Sequence, residues 1–286
     1  MENNSFGVSP AFWVSLFSQH FTLEQVREGI KLLDRWGFQV LQLEVYHREQ
    51  LGDWSGDGLY TIMEDLGERG MRISAFVAHF LIHLFTSERS MTDTLPMRDW
   101  VALCGKLQAL PPTVPLVVPL GALQDGKSFS VSLRDLFIFT LKEYAAVARS
   151  FGRTVALEIL PGSILSRIFH EHGEIPRELE ALDIHLLYDT GHHFIADSSV
   201  TDILPWFKGR VAALHLCDNR GTENRSDIPG TGNIDWTFLL EKLDLYGYTG
   251  SYDLEILCPP ALVETSYRQG RDFIIEKLKE RVHHGV

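Results

Sequence analysis

Four side chains near the ends of apolar runs carry the chemistry that this sequence offers. Glu158 closes Val155-Ala156-Leu157-Glu158, and Asp189 closes the run that ends in Tyr188-Asp189-Thr190-Gly191-His192. His215 lies within Ala213-Leu214-His215-Leu216-Cys217-Asp218, and Glu255 follows Tyr252-Asp253-Leu254. Three carboxylates and one imidazole brought to one place repel one another unless a cation is present, and they are the donor types that hold a divalent metal. Each has an ordinary reading when taken alone. Glu158 or Glu255 suits a solvated strand end, Asp189 before Thr-Gly suits an Asx-turn, and a lone His215 suits a hydrogen-bonded core histidine. Their recurrence on four consecutive strand-like runs favours a site.

Such a site needs a frame that points several strand ends at one spot. Strand-like runs occur at Phe6–Trp13, Phe38–Val45, Arg72–Val77, Val114–Leu120, Thr154–Leu160, Ile184–Tyr188, Val211–Cys217 and Ser251–Leu257. Stretches of helical period lie between them. Thr22-Leu23-Glu24-Gln25 begins one in capping-box fashion and Gly37 follows its end. Ser132–Ser150, Asp235–Tyr246 and Ser266–Val282 show the same one-face apolar pattern. Eight strands at about the 30-residue spacing of a βα unit predict an α/β fold, a (β/α)8 TIM barrel. A doubly wound sheet would carry a glycine-rich turn after its first strand, but Val14-Ser15-Leu16-Phe17 stands there. No linker or low-complexity stretch divides residues 1–286, so one domain is expected.

Composition narrows the partners. The 286 residues carry 38 acidic and 26 basic side chains, a formal charge of −12, which disfavours nucleic acid and anionic membrane surfaces. Cys104, Cys217 and Cys258 lie far apart in no metal or redox spacing, as suits a reducing compartment. Met1-Glu2-Asn3-Asn4-Ser5 lacks the basic start of a signal peptide, and no apolar run is long enough to span a bilayer. A cytoplasmic protein is expected.

The chain resembles the xylose isomerase-like TIM barrels, which include sugar-phosphate isomerases, ketose 3-epimerases, hydroxypyruvate isomerase, inosose dehydratase and type-IV AP endonuclease. The resemblance rests on Gly37-Phe38-Gln39-Val40-Leu41-Gln42-Leu43, Ala156-Leu157-Glu158, Tyr188-Asp189-Thr190-Gly191-His192 and Leu214-His215-Leu216-Cys217-Asp218-Asn219. It continues through Pro229-Gly230-Thr231-Gly232-Asn233-Ile234-Asp235-Trp236 and Tyr248-Thr249-Gly250 before Glu255. It implies one divalent metal on Glu158, Asp189, His215 and Glu255, with Mn, Mg or Co suiting the donors better than Zn. It also implies that Glu158 and Glu255 act as acid/base groups on opposite faces of the substrate, and that His192 contacts a substrate oxygen. The implied reaction is isomerisation or epimerisation of a small sugar, sugar phosphate or hydroxy-carbonyl compound, by proton abstraction through a metal-bound enediolate.

The departures from the family pattern bear on the choice of reaction. Ser226 stands where many members have a metal-binding histidine, which counts against an endonuclease-type metal cluster. The usual glutamate of the second strand aligns with Gln42, so Glu44 is not expected to take its role. No lysine lies between Lys142 and Lys208, which removes the catalytic lysine of hydride-shifting aldose isomerases. An inosose-type dehydratase acting on a cyclic polyol ketone is the alternative. AP endonuclease-like phosphodiester cleavage is more distant, and a non-catalytic polyol-binding barrel is the reading from outside enzymology. The expected ligand is a small carbohydrate or polyol, and assembly into a homo-oligomer stays open.

Weaker candidates surround the four. His79 and His83 follow the third strand, with His79 placed to reach the mouth or to face solvent. Arg220 and Arg225 could clamp a phosphate or carboxylate, though loop arginines are usually solvated. Phe12 and Trp13 offer an apolar wall at the end of strand one, or barrel packing. His193 adjoins His192 and is read as turned away. Asp253 shares the inward face of strand eight with Glu255 and so needs a partner.

Overall fold

Alternation of β-branched runs with amphipathic segments leaves each strand one route to burial, namely pairing in parallel under a cover of helices. The computed structural model describes residues 5–124, 131–168, 175–196 and 203–283. The stretch Met1-Glu2-Asn3-Asn4, used in reading the N-terminus, lies outside them. The strands are β1 (Phe6–Val8), β2 (Val40–Glu44), β3 (Arg72–Val77), β4 (Leu116–Leu120), β5 (Val155–Ile159), β6 (His185–Asp189), β7 (Val211–His215) and β8 (Tyr252–Leu254). The helices are α1 (Ala11–Phe17), α2 (Leu23–Trp36), α3 (Gly56–Glu68), α4 (Glu88–Thr92), α5 (Thr94–Lys106), α6 (Val131–Ser150), α7 (Ile164–Ile168), α8 (Ile175–Ala181), α9 (Thr190–Ala196), α10 (Trp236–Leu245) and α11 (Val263–His283).

The eight strands form one parallel sheet in the order β7-β6-β5-β4-β3-β2-β1-β8. A parallel bridge between Leu216 and Leu254 brings its two edges together. The Leu216 N–H donates to Asp253 O at 2.8 Å, and the Glu255 N–H donates to Leu216 O at 2.9 Å. The fold is a TIM barrel. Among the described residues, no helix is long and apolar enough to cross a membrane, and all three cysteines are free.

The large apolar layer lies between sheet and helices. In α2, Val26, Ile30 and Leu33 are fully buried on one face, and Thr22 and Gln25 close the expected capping box, with Gly37 in the left-handed region at φ 79°. Inside the barrel a small plug of Ala75, Val77, Val117, Ala156, Leu187 and Ala213 is drawn from β3 to β7. Strands β2 and β8 instead send Gln42 and Asp253 inward, where they meet across β1. Their meeting is allowed because β1 presents Gly7 there: a Cβ on Gly7 would sit 2.2 Å from Asp253 Oδ1.

One expected element is corrected. The first strand ends at Val8, and Phe12 and Trp13 belong to α1. A short apolar run has no period of its own to tell strand from helix. Both rings are fully buried and pack edge-to-face at 4.9 Å. The Trp13 indole donates to Gln42 O at 3.0 Å. They are barrel packing, and no wall of the mouth.

Candidate functional site

Strand register delivers the four expected residues to one end of the barrel. Glu158 of β5 lies opposite Pro119, and Asp189 of β6 lies opposite His215 of β7. Glu255 falls just beyond β8, held level by its N–H bond to Leu216 O. Donor atoms of Glu158, Asp189, His215 and Glu255 all lie within 4.8 Å of one another. His215 Nδ1 is their hub, 2.6 Å from Glu255 Oε2, 3.2 Å from Glu158 Oε1 and 3.8 Å from Asp189 Oδ2. Its other nitrogen, Nε2, lies 2.9 Å from Gln42 Oε1.

The electrostatics are those of a site that requires positive charge. Burial disfavours the His215 imidazolium, but Glu255, Asp189 and Glu158 outweigh it and hold its pKa well above the ordinary histidine value. Burial likewise opposes ionisation of Glu158 and Asp189. The hydrogen bond and charge of His215 on Glu158, and the charges of His192 and His215 on Asp189, draw both below the usual carboxylate range. Asp189 shows how one side chain divides its work. Its Oδ1 accepts from the His192 N–H at 2.8 Å and so caps the first turn of α9, where the sequence suggested an Asx-turn. Its Oδ2 is buried without a hydrogen-bond partner and faces the cluster. An orphaned buried carboxylate oxygen beside two further carboxylates and an imidazole nitrogen fits a divalent cation.

His192 stands over this cluster, buried, with Nδ1 3.5 Å from Asp189 Oδ2 and 3.7 Å from Glu158 Oε1. His79 is partly buried and stacks on Tyr46 at 4.0 Å. Burial lowers its pKa, and the charge of Glu158 opposes that shift, which puts the ring within reach of the site's field. His83 is exposed. Arg220 is exposed on the loop after β7, where its carbonyl accepts from Asn233 Nδ2. Arg225 pairs with Asp227 at 3.3 Å. Among the described residues neither arginine forms an ion pair with the cluster. His193 stacks flat on Tyr188 at 4.6 Å.

Ser226, in the position where relatives were expected to carry a histidine, donates to Glu255 Oε1 at 3.2 Å. The Asp218 motif proves architectural. Asp218 accepts from the N–H groups of Asn219, Gly230 and Ile234 and from the Trp236 indole at 2.9 to 3.3 Å. A Cβ on Gly232 would collide with that carboxylate at 2.2 Å. The Gly-x-Gly-x-Ile-Asp-Trp segment is therefore a loop wrapped on a buried aspartate, and it sets the place of Ser226.

Sequence reasoning passed over Glu44. It is buried at the end of β2, two residues beyond Gln42, and Oε2 has no partner. Burial, together with the charges of Glu158 and Glu255, pushes its pKa well above the carboxylate range, with His215 opposing. Strand alternation from Gln42 was the available signal, since both must face inward.

A family model for xylose isomerase-like TIM barrels matches residues 30–277. The chain belongs to this family. Within the xylose isomerase-like barrels it is similar to the inosose dehydratase of Bacillus velezensis, 29% identical over 175 residues, covering 49% of this chain and 58% of that relative. It is also similar to the inosose dehydratase of Salmonella typhimurium, 28% identical over 143 residues, covering 43% and 46%. The matched stretches thus span about half the length of those enzymes. Among solved barrels, D-psicose 3-epimerase from Clostridium cellulolyticum H10, crystallised with D-tagatose, superposes with a TM-score of 0.69 at 16% identity, covering 96% of this chain and 99% of that one. An IOLI protein with a bound zinc atom superposes with a TM-score of 0.74 at 16% identity, covering 96% and 98%. At such identities the superpositions show the fold.

Proposed function

We propose that this xylose isomerase-like barrel is a metal-dependent isomerase or epimerase of a small sugar or related hydroxy-carbonyl compound. The observation that carries the reading is the convergence of Glu158, Asp189, His215 and Glu255 around an orphaned Asp189 oxygen. These four would hold one divalent cation. Bound there, it supplies Lewis-acid polarisation of a carbonyl and its neighbouring hydroxyl, acidifying the C–H between them.

The chain's own groups do the rest. Glu158 and Glu255 stand on β5 and beyond β8, three strands apart around the barrel, so their carboxylates approach a ligand from different sides. One carboxylate removes the proton, and the other, itself protonated, delivers a different proton to the opposite face, giving an epimer; delivery at the adjacent carbon gives the isomer. His192, with Nδ1 unpartnered, is placed to hold a substrate oxygen. Burial and the charges of Glu158 and Glu255 raise the Glu44 pKa and so disfavour its ionised form. His79 and Tyr46 offer a flat edge to the mouth. Arg220 would engage a substrate only by reaching in from the exposed loop. The ligand is a small carbohydrate or polyol, and the chain's charge of −12 argues against nucleic acid.

The second reading, dehydration of a cyclic polyol ketone, is favoured by the inosose dehydratase relatives. It begins with the same abstraction and ends with loss of water. Turnover of candidate ketoses and cyclic polyol ketones in D₂O separates the two. Deuterium beside the carbonyl of an isomeric product supports epimerisation or isomerisation, and an enone-derived product supports the lyase. Turnover with wholly internal hydrogen transfer overturns both.

A further inference from the structure

The polar chain behind His215 runs across the barrel through residues that touch no candidate cation ligand other than His215 itself. Ser74 Oγ donates to Asp253 Oδ2 at 2.6 Å. The Gln42 amide nitrogen donates to the same Oδ2 at 2.9 Å and to Leu214 O at 3.1 Å. Gln42 Oε1 then faces His215 Nε2 at 2.9 Å. Gln42 and Asp253 are fully buried.

The direction of every bond in this chain is fixed by its far end. Leu214 O can only accept, so the end of Gln42 that touches it, and Asp253 Oδ2 beside it, must be its NH₂. A flipped amide would set oxygen against two oxygens in a site closed to water. Gln42 therefore presents oxygen to His215, and His215 Nε2 must carry a hydrogen. The remaining nitrogen, Nδ1, is the one facing Glu158, Asp189 and Glu255. The anchoring depends on tertiary detail. Ser74 is the residue skipped where the β2–β3 register shifts beside Leu41/Gln42, a bulge that re-aims its side chain at Asp253.

We propose that Asp253 and Gln42 are positioning residues that lock His215 with Nε2–H bound to the Gln42 carbonyl and Nδ1 committed to a divalent cation. The inference rests on the cation site proposed above. It assigns a purpose to the departure at Gln42: a glutamate there would stand 2.9 Å from the Asp253 carboxylate, so the charge resides on Asp253 and the amide relays its orientation. Metal-binding histidines are commonly oriented in this way by a group on their second nitrogen, and loss of that group costs about 10–100-fold in affinity.

The test uses Mn²⁺ alone, titrated against a competing chelator at constant pH. Its second readout is the His215 Nε2–H proton in ¹⁵N-histidine-labelled protein with and without Zn²⁺, assigned by its disappearance in His215→Gln. Gln42→Leu, Gln42→Glu and Asp253→Asn should each weaken Mn²⁺ binding by about 10–100-fold. Asp253→Asn should also move the Nε2–H signal and speed its exchange, although residue 253 does not touch the ring. The exchanged pair Gln42→Glu/Asp253→Asn restores one carboxylate and one amide but sets a carboxylate oxygen against Leu214 O, so it should recover only part of the affinity lost in Gln42→Glu. Wild-type affinity together with an unmoved Nε2–H signal in Asp253→Asn overturns the proposal. If the single variants do not fold, Ser74→Ala, which removes one donor to Asp253 Oδ2, decides: weaker Mn²⁺ binding with a moved Nε2–H signal supports the relay, and wild-type values of both overturn it. If the wild-type chain binds no Mn²⁺, the proposed function fails, and the Nε2–H signal alone decides the positioning.

Discussion

Gly7→Ala should damage this barrel far more than its position in a three-residue strand suggests. The added Cβ would lie 2.2 Å from Asp253 Oδ1, 3.0 Å from Asp253 Cγ and 2.9 Å from Val40 Cβ. Ordinary contact begins near 3.4 Å, so the carboxylate must retreat by roughly 1 Å or more. Its bonds to Ser74 and Gln42, now 2.6 and 2.9 Å, cannot both survive that displacement. Overpacking costs about 1–3 kcal/mol, and an underbonded buried carboxylate costs about 1–3 kcal/mol more. A combined loss of about 2–6 kcal/mol corresponds to a fall in Tm on the order of 10 °C for a chain of this length. Urea unfolding gives the stability, and Mn²⁺ titration of the folded fraction gives the effect on the cation site. An alanine variant with the wild-type urea midpoint and wild-type Mn²⁺ affinity would refute the account of how β1, β2 and β8 meet.

Three further outcomes are expected. Glu158→Gln and Glu255→Gln should each lower kcat by about 10²–10⁴-fold through loss of a proton-transfer group, whereas His192→Ala should mainly raise KM; steady-state kinetics on an identified substrate separate these, and proton exchange retained in both glutamine variants would contradict the two-carboxylate mechanism. Asp218→Ala removes the acceptor of four hydrogen bonds and should cost roughly 2–4 kcal/mol in urea unfolding, while also freeing the loop that carries Ser226. Burial pushes the His193 pKa down to about 4, below an unfolded value of about 6.5, so the unfolded chain takes up the proton first as pH falls. Stability is then lost between about pH 6.5 and 4, by up to about 3 kcal/mol. His193→Phe should remove that part of the pH slope in urea midpoints, and an unchanged slope would show that another group governs it.

What could be read from the residues alone was whatever depends on local pattern. Alternation placed Glu158, Asp189 and His215 at strand ends, the Thr22–Gln25 box marked the start of α2, and period-2 logic turned Asp253 inward with Glu255. These follow from backbone geometry over a few residues. The error at Phe12 and Trp13 has the same origin, because an eight-residue apolar run serves strand and helix equally until packing chooses. The meeting of Gln42 with Asp253, 211 residues away, and with His215, 173 residues away, had no local signal. It needed the sheet to close, a glycine on β1 to leave room and a bulge to turn Ser74. The same closure buries Glu44 within the field of Glu158 and Glu255. Residue types along the chain therefore determined which groups could do chemistry. Only the tertiary structure decided which atom of each faces the centre, because hydrogen-bond direction is set by partners that the chain brings together from far apart.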